Sequence, residues 1–413
     1  MPQSKDFKVA IVGGGMCGLM CAVGLRRAGI AVEIFESTIS FQEIGAGIGL
    51  GPNALRALKS LGLLDSLIAR QSERGALSSF QFRSGLAGRE FTYDYPCASD
   101  DVGITIHRYS MSFCLDQYWF TNITGLHFIL KRCVSVSANT ESSIYTIGFA
   151  DGTSHEADLI IGADGIKSTV RESVIKSDHL YPVYTGTTAY RSLIKRESLN
   201  KAGFKTHLER PICFLGAHKY LITYPIKAGE LINVVVYVTD AKEEEDLVSQ
   251  FQEWNEDVKA IIHCIDQTSK WPLYELNPPL RTYISGRVAL VGDAAHAMLP
   301  HLGAGVGQGI EDTYILCELL GNPQTKLSNL EDVIKAYDHV RIPRATDVSD
   351  RSRHAGLVCQ RHGLPEWTDE DTLTGLTNRW APLWYHDLEA DKTEALKWLE
   401  KAGIFIPISE LAT

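Results

Sequence analysis

Several absences narrow what this chain can be. No apolar run approaches the roughly 20 residues that a membrane-spanning helix needs. None of the nine cysteines forms a C-x-x-C pair, and an odd, scattered set reads as reduced thiols of an intracellular protein, not a disulfide framework. H-E-x-x-H and clustered carboxylate–histidine patterns are missing, so no metal site is expected. Without G-x-S-x-G there is no nucleophile elbow for serine chemistry. Excess positive charge is lacking too: 40 Lys and Arg face 50 Asp and Glu, for a net charge of −10. That balance argues against a nucleic-acid partner or an anionic membrane surface. Residues 1–7 are polar and lead straight into a β-branched run, leaving no room for a signal peptide, so a cytoplasmic protein is expected. Internal repeats and low-complexity segments are also absent.

What is present centres on residues 8–36. Lys8–Val12 is a short strand pattern, and Gly13, Gly15 and Gly18 follow in G-x-G-x-x-G spacing. A helical pattern then runs to Gly29, and a second strand pattern, Ala31–Phe35, ends in Glu36. In such a unit the first glycine allows the tight turn, the second lets backbone approach a pyrophosphate, and the third lets helix pack on strand. The helix N-terminus offers free N–H groups to the phosphates, and the carboxylate can accept from ribose hydroxyls. Strand, loop, helix, strand and carboxylate agree on dinucleotide binding.

The 377 residues after Glu36 in this 413-residue chain carry two further textures. Gly45, Gly47, Gly49 and Gly51 suggest a flexible loop before a helix with Pro52 at its start and Gly62 past its end. SSFQFRS, REFTYDY and GITIHR (103–108) read as strands, Met111–Phe120 as a helix, and Ile144–Phe149 as a hairpin with Thr153–His155 across Asp151-Gly152. The Leu159–Ile161 strand leads into Asp164-Gly165. TTAYRSLI, KYLITYPI and LINVVVYV follow with no intervening helix, as expected of an antiparallel sheet inserted into an α/β domain. The acidic run from Lys242 is expected to open a helix over 246–265. The strand Arg287–Val291, Gly292-Asp293 and a glycine loop (303, 305, 307, 309) then return the chain to the first domain, and helices follow from Leu327.

Three motifs in this order, Gly13-x-Gly15-x-x-Gly18, Asp164-Gly165 with Arg171, and Gly292-Asp293-Ala294-Ala295-His296, resemble the single-component FAD-dependent aromatic hydroxylases, in particular their salicylate-hydroxylase-like fungal branch. The resemblance implies a Rossmann-type FAD-binding domain (1–73, 102–175 and 272–355), an inserted, mostly antiparallel β-sheet substrate domain (74–101 and 176–271), and a C-terminal helical segment (356–413). It implies FAD as cofactor, NAD(P)H and molecular oxygen as co-substrates, and hydroxylation of a small phenol or hydroxybenzoate-type aromatic through a flavin C4a-hydroperoxide. Asp293 resembles the aspartate that accepts from the flavin ribityl chain. Gly303, Ala304, Gly305 and Val306 would face the pyrophosphate and the flavin pyrimidine edge, and Gly49 is placed with the cofactor. Arg108 resembles the arginine at the ribityl–phosphate region, and Asp164 the Asp-Gly aspartate linked with both FAD and NAD(P)H. No second glycine fingerprint exists, so the pyridine nucleotide would have no Rossmann domain of its own. The chain departs from the pattern at Tyr109-Ser110-Met111 and at Leu302, which bears on the substrate more than on FAD.

Three residues are candidates for the chemistry itself. His301, beside Pro300 in the loop expected against the isoalloxazine, could take a phenolic proton or merely brace the loop. Arg191 would face the cleft if strand alternation holds and could pair with a substrate carboxylate or phenolate; its alternative is a surface salt bridge. Tyr224 resembles the tyrosine that works with such an arginine in dearomatising relatives, or is a half-buried sheet residue. His296 is expected to hold its loop, and Cys17 and Cys21 to pack as small hydrophobes. A flavin halogenase or reductase is the competing enzyme class, but no W-x-W-x-I-P segment occurs. A non-enzymatic scaffold is the third reading, which retention of the phosphate glycines opposes.

Overall fold

The computed structural model describes residues 4–38, 47–69, 75–77, 79–96, 103–107, 127–138, 144–175, 181–240, 246–362 and 367–407. Arg108 and the helix expected at Met111–Phe120 lie outside them. Among the described residues, no helix is long and apolar enough to cross a membrane.

The first unit is β1 (Lys8–Val12), α1 (Met16–Arg27) and β2 (Ala31–Glu36), with β1 and β2 parallel. Ala10 and Ile11 are fully buried, as a strand covered on both faces requires. β12 (Leu159–Gly162) pairs parallel on the other side of β1, followed by β19 (Val288–Leu290) and its antiparallel hairpin partner β18 (Ile284–Ser285). β8 (His127–Leu130) closes the far edge beside β2. The hairpin of β10 (Tyr145–Phe149) and β11 (Ser154–Ala157) adds β9 (Cys133–Ala138) in a small sheet. α2 (Pro52–Ser60) and α3 (Leu64–Ala69) come later in the chain than β2, and α4 (Val170–Val174) follows β12. The glycine segment expected as a loop is part strand: β3 (Gly47–Leu50) pairs with β7 (Gly103–His107), which also pairs with β4 (Gly75–Leu77).

The inserted sheet has the order β17 (Ser269–Glu275), β13 (Val183–Lys195), β16 (Leu231–Thr239), β15 (Lys219–Ile226), β14 (Ile212–Gly216), β5 (Gln81–Ser84) and β6 (Thr92–Asp94). Every pair is antiparallel except β14 with β5. The inserted sheet therefore extends to Glu275, past the boundary expected at 271/272. α5 (Arg196–Lys201) and α6 (Glu256–His263) place Leu199, Val258 and Ile261 in the core of the outer face.

The helix expected over 246–265 is shorter: α6 starts at Glu256, where the Asn255 side chain accepts from the Val258 N–H. The reason is Trp254, 3% exposed, whose ring fills the space where any side chain on Gly85 or Gly216 would begin. The chain leaves the helical path to insert that ring between two strands.

α7 (Asp293–His296), α8 (Gly305–Gly321) and the 30-residue α9 (Leu330–Cys359) return to the first domain. Gly307 and Gly309, expected in a loop, lie inside α8. α1 and α8 exchange glycines and thiols: a side chain on Gly24 would start 2.5 Å from the Cys317 sulfur, and one on Gly309 would overlap Cys17. Each helix thus receives a cysteine of the other where it has no side chain, a contact only glycine permits. α10 (Asp369–Leu376), α11 (Ala381–Trp384) and α12 (Leu388–Lys401) complete the C-terminal helical segment; α9 runs unbroken through the boundary expected at 355/356.

Candidate active site

The glycines of the G-x-G-x-x-G segment have distinct physical reasons. Gly13 adopts φ +105°, and a side chain there would strike the Ala163 backbone; one on Gly18 would overlap the Gly13 carbonyl. Gly15 meets nothing within 4 Å. Two of the three glycines are therefore demanded by packing, and the third keeps open the space above the α1 N-terminus. That helix has no side-chain cap and no acidic residue in its first turn, so its N–H groups and positive end stay available. Glu36 stands at the end of β2, its carboxylate accepting from the Gly14 N–H at 2.6 Å and the Thr38 N–H at 2.8 Å. α8 repeats the arrangement: Ala304 provides no side-chain cap, its first turn holds no acidic residue, and Gly303 turns at φ +64° with open space beside it.

Asp164 is engaged in its own loop. It accepts from the Ser168 hydroxyl and from the N–H groups of Thr169 (2.7 Å) and Val170 (3.1 Å), which caps α4. Arg171, 5% exposed, donates to the carbonyls of Ile166 and Ala294 and so fastens this loop to the Gly292-Asp293 turn. Asp293 itself is exposed, with one carboxylate oxygen 4.0 Å from where a side chain on Gly305 would begin. The three sequence motifs therefore meet: Gly13 against Ala163, Arg171 against Ala294, Asp293 beside Gly305. Gly49 lies in β3, opposite Thr105 of β7.

Beneath the turn is a buried ionic cluster that sequence reasoning missed. Asp312 accepts from the Gly292 N–H (2.8 Å), His296 Nε2 (2.5 Å) and Arg341 Nε (2.8 Å). Arg341 also reaches Glu311 at 2.9 Å and Gln308 at 2.9 Å, while Arg344 and Asn53 bind Glu311. Burial opposes ionisation of Glu311, but Arg341 and Arg344 outweigh it and hold its pKa down at about 2. Burial likewise opposes the Asp312 charge, and His296 with Arg341 overcomes it. His296 thus holds its loop, as expected. The signal in the sequence was an acidic pair within an apolar helix and two arginines three residues apart.

The loop at Pro300 is pinned from behind. The Ser352 hydroxyl donates to the Leu299 carbonyl (2.6 Å) and accepts from the Leu302 N–H (3.2 Å). Arg379 donates to the His301 carbonyl at 3.2 Å, and the Trp380 indole to the Leu302 carbonyl at 3.0 Å. His301 is 7% exposed, its ring lying against Gly356 of α9 and its Nδ1 2.6 Å from the Tyr220 hydroxyl. Burial, and the Arg379 charge, push its pKa down to about 3. It is a neutral imidazole turned toward the helical layer. Tyr220, Arg379 and Trp380 were not anticipated.

The inner face of the inserted sheet meets this loop, and Tyr237, Tyr220 and Ala189 pack with Leu299, Leu302 and Ala304 in one core. Strand alternation puts Arg191 on that face, and register makes Arg191, Val235, Ile222 and Cys213 one cross-strand row. The neighbouring row of Ala189, Tyr237 and Tyr220 is buried, whereas Arg191, Val235 and Ile222 are only partly covered. Arg191 has no hydrogen-bond or ion-pair partner among the described residues, and its Nε is buried and unsatisfied. Its guanidinium lies over the Trp271 ring, 5.7 Å from the centroid. Tyr224 is on the same face; burial, with Tyr237, raises its pKa to about 12 although Arg191 opposes the shift. Tyr190 lies on the outer face, in the other core.

Open backbone at two helix N-termini, a ribose-type carboxylate and a free aspartate fit the diphosphate and sugars of FAD. Residues 6–102 and 134–352 match the family described as FAD binding domain. Salicylate hydroxylase of Pseudomonas putida is 35% identical over 96% of this chain and 97% of its own length. A 6-methylsalicylate 1-monooxygenase of Aspergillus terreus is 32% identical over 96% and 93%. The solved structure of a salicylate hydroxylase substrate complex superposes with a TM-score of 0.82, at 31% identity, covering 94% of this chain and 98% of that one. The chain belongs to the FAD-binding-domain family and, within it, to the FAD-dependent aromatic hydroxylases that include salicylate hydroxylase.

Proposed function

We propose that this chain is an NAD(P)H-consuming monooxygenase whose substrate is a small phenol carrying a carboxylate, of the hydroxybenzoate class. The observation that carries this reading is the unpaired guanidinium of Arg191. A partly covered guanidinium whose buried Nε has no hydrogen-bond partner is costly, and a substrate carboxylate received in its planar fork satisfies that donor. The relatives named for salicylate and 6-methylsalicylate support the same class. Bound FAD supplies the redox and oxygen chemistry. The protein holds the cofactor at the two helix ends, with Glu36 and Asp293 at its hydroxyl-bearing parts. Arg191 fixes the anionic group of the ring, and Tyr224, protonated at neutral pH, is a hydrogen-bond donor to its phenolic oxygen. His301 acts from behind, by holding Tyr220 and the shape of the Pro300 loop. The nicotinamide nucleotide binds without a glycine fingerprint of its own.

The test compares salicylate-type substrates with the same phenols lacking the carboxylate, in wild type and in Arg191→Ala and Arg191→Lys. We expect the KM for the carboxylated ring to rise about 10–100-fold in the alanine variant, the value of a charged hydrogen-bonded pair, with FAD still bound. The lysine variant recovers only part, because it lacks the fork. Equal KM values in wild type and Arg191→Ala would falsify the assignment.

A further inference from the structure

The sequence holds no metal-ligand spacing, yet the fold gathers one set of donors from three distant positions. His218 lies in the turn between β14 and β15, Asp240 just beyond the end of β16, and His362 just beyond the end of α9. Their ligand atoms all fall within 4.8 Å of one another. We propose that His218, Asp240 and His362 form a zinc-binding clip that joins the inserted sheet to the end of the long helix α9.

The backbone that carries these donors is already fixed. The His218 N–H donates to the Gln360 carbonyl at 2.7 Å, so the sheet turn and the helix end touch before any ion is bound. The His218 carbonyl accepts from the Thr239 N–H at 3.0 Å, and the Asp240 N–H donates to Gly186 at 2.9 Å. His218 (φ 58°) and Asp240 (φ 54°) both take the left-handed conformation, which non-glycine residues adopt seldom and histidine and aspartate more readily than most. These turns project the two side chains from the same end of the sheet. The His218 and His362 rings stand edge to face, 4.9 Å between centroids.

The side chains are also free to bind. None of the three has a hydrogen-bond or ion-pair partner among the described residues. The neighbouring cations are occupied elsewhere: Lys219 donates to the Gln250 carbonyl at 2.8 Å, and Arg361 to Asp369 at 3.1 Å. Neither of these two cations is hydrogen-bonded to the Asp240 carboxylate.

Two imidazoles and one carboxylate suit a borderline divalent ion, with water in the remaining place. Calcium and magnesium prefer an all-oxygen shell. Tetrahedral zinc with bonds of about 2.0–2.1 Å sets its donors roughly 3.4 Å apart. Rotation of the exposed His218 and Asp240 side chains toward the partly covered His362 draws the triangle in to that size. His218 stands two residues before Tyr220 of β15, which holds His301, and His362 three past Cys359 of the same buried layer. An ion here ties together the outer ends of the elements that wall the site, while taking no part in the chemistry.

The test uses the FAD-loaded protein, stripped of metal by chelator and desalted, then titrated with zinc chloride by calorimetry. Cobalt(II) serves as the coloured probe of a tetrahedral nitrogen–oxygen shell. We expect a single saturable zinc per chain, accompanied by a rise in melting temperature through mass action. His218→Ala, Asp240→Asn and His362→Ala each weaken binding by about 100-fold or more, and His263→Ala on α6 leaves it unchanged. The flavin spectrum reports that every variant is folded. Weak binding at several sites, or tight binding that survives His362→Ala, overturns the clip, because the helix would then contribute no donor. The outcome is independent of which phenol the enzyme uses.

Discussion

At the scale of single residues, Gly15 and Gly18 separate folding from cofactor binding. A methyl group at Gly18 would overlap the Gly13 carbonyl, whereas one at Gly15 enters empty space. Gly15→Ala should therefore leave the melting temperature of the flavin-free protein unchanged and lower FAD affinity about tenfold or more, since the new group stands where phosphate approaches. Gly18→Ala should destabilise the fold itself by about 1–3 kcal/mol, the range for overpacking. Flavin absorbance after desalting, beside a thermal melt without flavin, distinguishes the two. His301 gives a pH signature. Its native pKa, about 3, lies below the ordinary 6.5, so between those values the unfolded chain binds a proton that the native state refuses. Stability falls as pH drops through that window, by up to about 1.4 kcal/mol per pH unit from this group. Denaturant midpoints measured from neutral pH down to about pH 5 should slope less steeply in His301→Gln. An unchanged slope would mean that the imidazole keeps its ordinary pKa in the native protein, and the proton-acceptor role would return.

At the scale of elements, what was legible depended on how far along the chain the cause lay. β1, α1 and β2 could be read because their glycines, apolar period and terminal carboxylate are contiguous. Arg191 could be placed on the inner face because a strand alternates strictly. The start of α6 could not be read, because it is set by Trp254 filling the space beside Gly85 and Gly216, more than 160 and nearly 40 positions away. Likewise the acidic pair Glu311 and Asp312 stands out within its apolar helix, but nothing local names its partner, since Arg341 lies on α9. That helix pair yields its own prediction. Arg341→Met removes a fully buried guanidinium and leaves Asp312 with only His296 and a backbone N–H, and Glu311 with Arg344 and Asn53. The cost should be about 3–5 kcal/mol, as for other broken buried pairs. Because Asp312 also holds the Gly292 N–H, flavin release should quicken in the same variant. Loss of stability without any change in flavin release would show that the Gly292-Asp293 turn keeps its shape unaided.

At the scale of the whole molecule, the inserted sheet does not stand apart from the first domain. Its inner core is shared with the Pro300 loop, the end of α9 and the C-terminal helices, so the C-terminal segment is the back wall of the site. Trp380 is the joint. It stacks on Trp384 at 5.5 Å, meets Tyr95 edge-on at 4.8 Å, and donates its indole N–H to the Leu302 carbonyl. Trp380→Phe keeps an aromatic ring in the stack but strands that buried carbonyl, at a cost of about 1–3 kcal/mol. The loop that carries Leu302 also carries Gly303 and Ala304, so slack at this point is transmitted to the backbone at the N-terminus of α8, where the flavin is proposed to bind. Oxygen consumed without hydroxylation should rise, measured as hydrogen peroxide released per NAD(P)H oxidised, with FAD retained. Leu373→Ala, on the exposed side of α10 in the same segment, should change neither quantity. Equal peroxide yields from Trp380→Phe and wild type would mean that Ser352 and Arg379 alone hold the loop. The back wall would then stabilise the fold without governing the reaction.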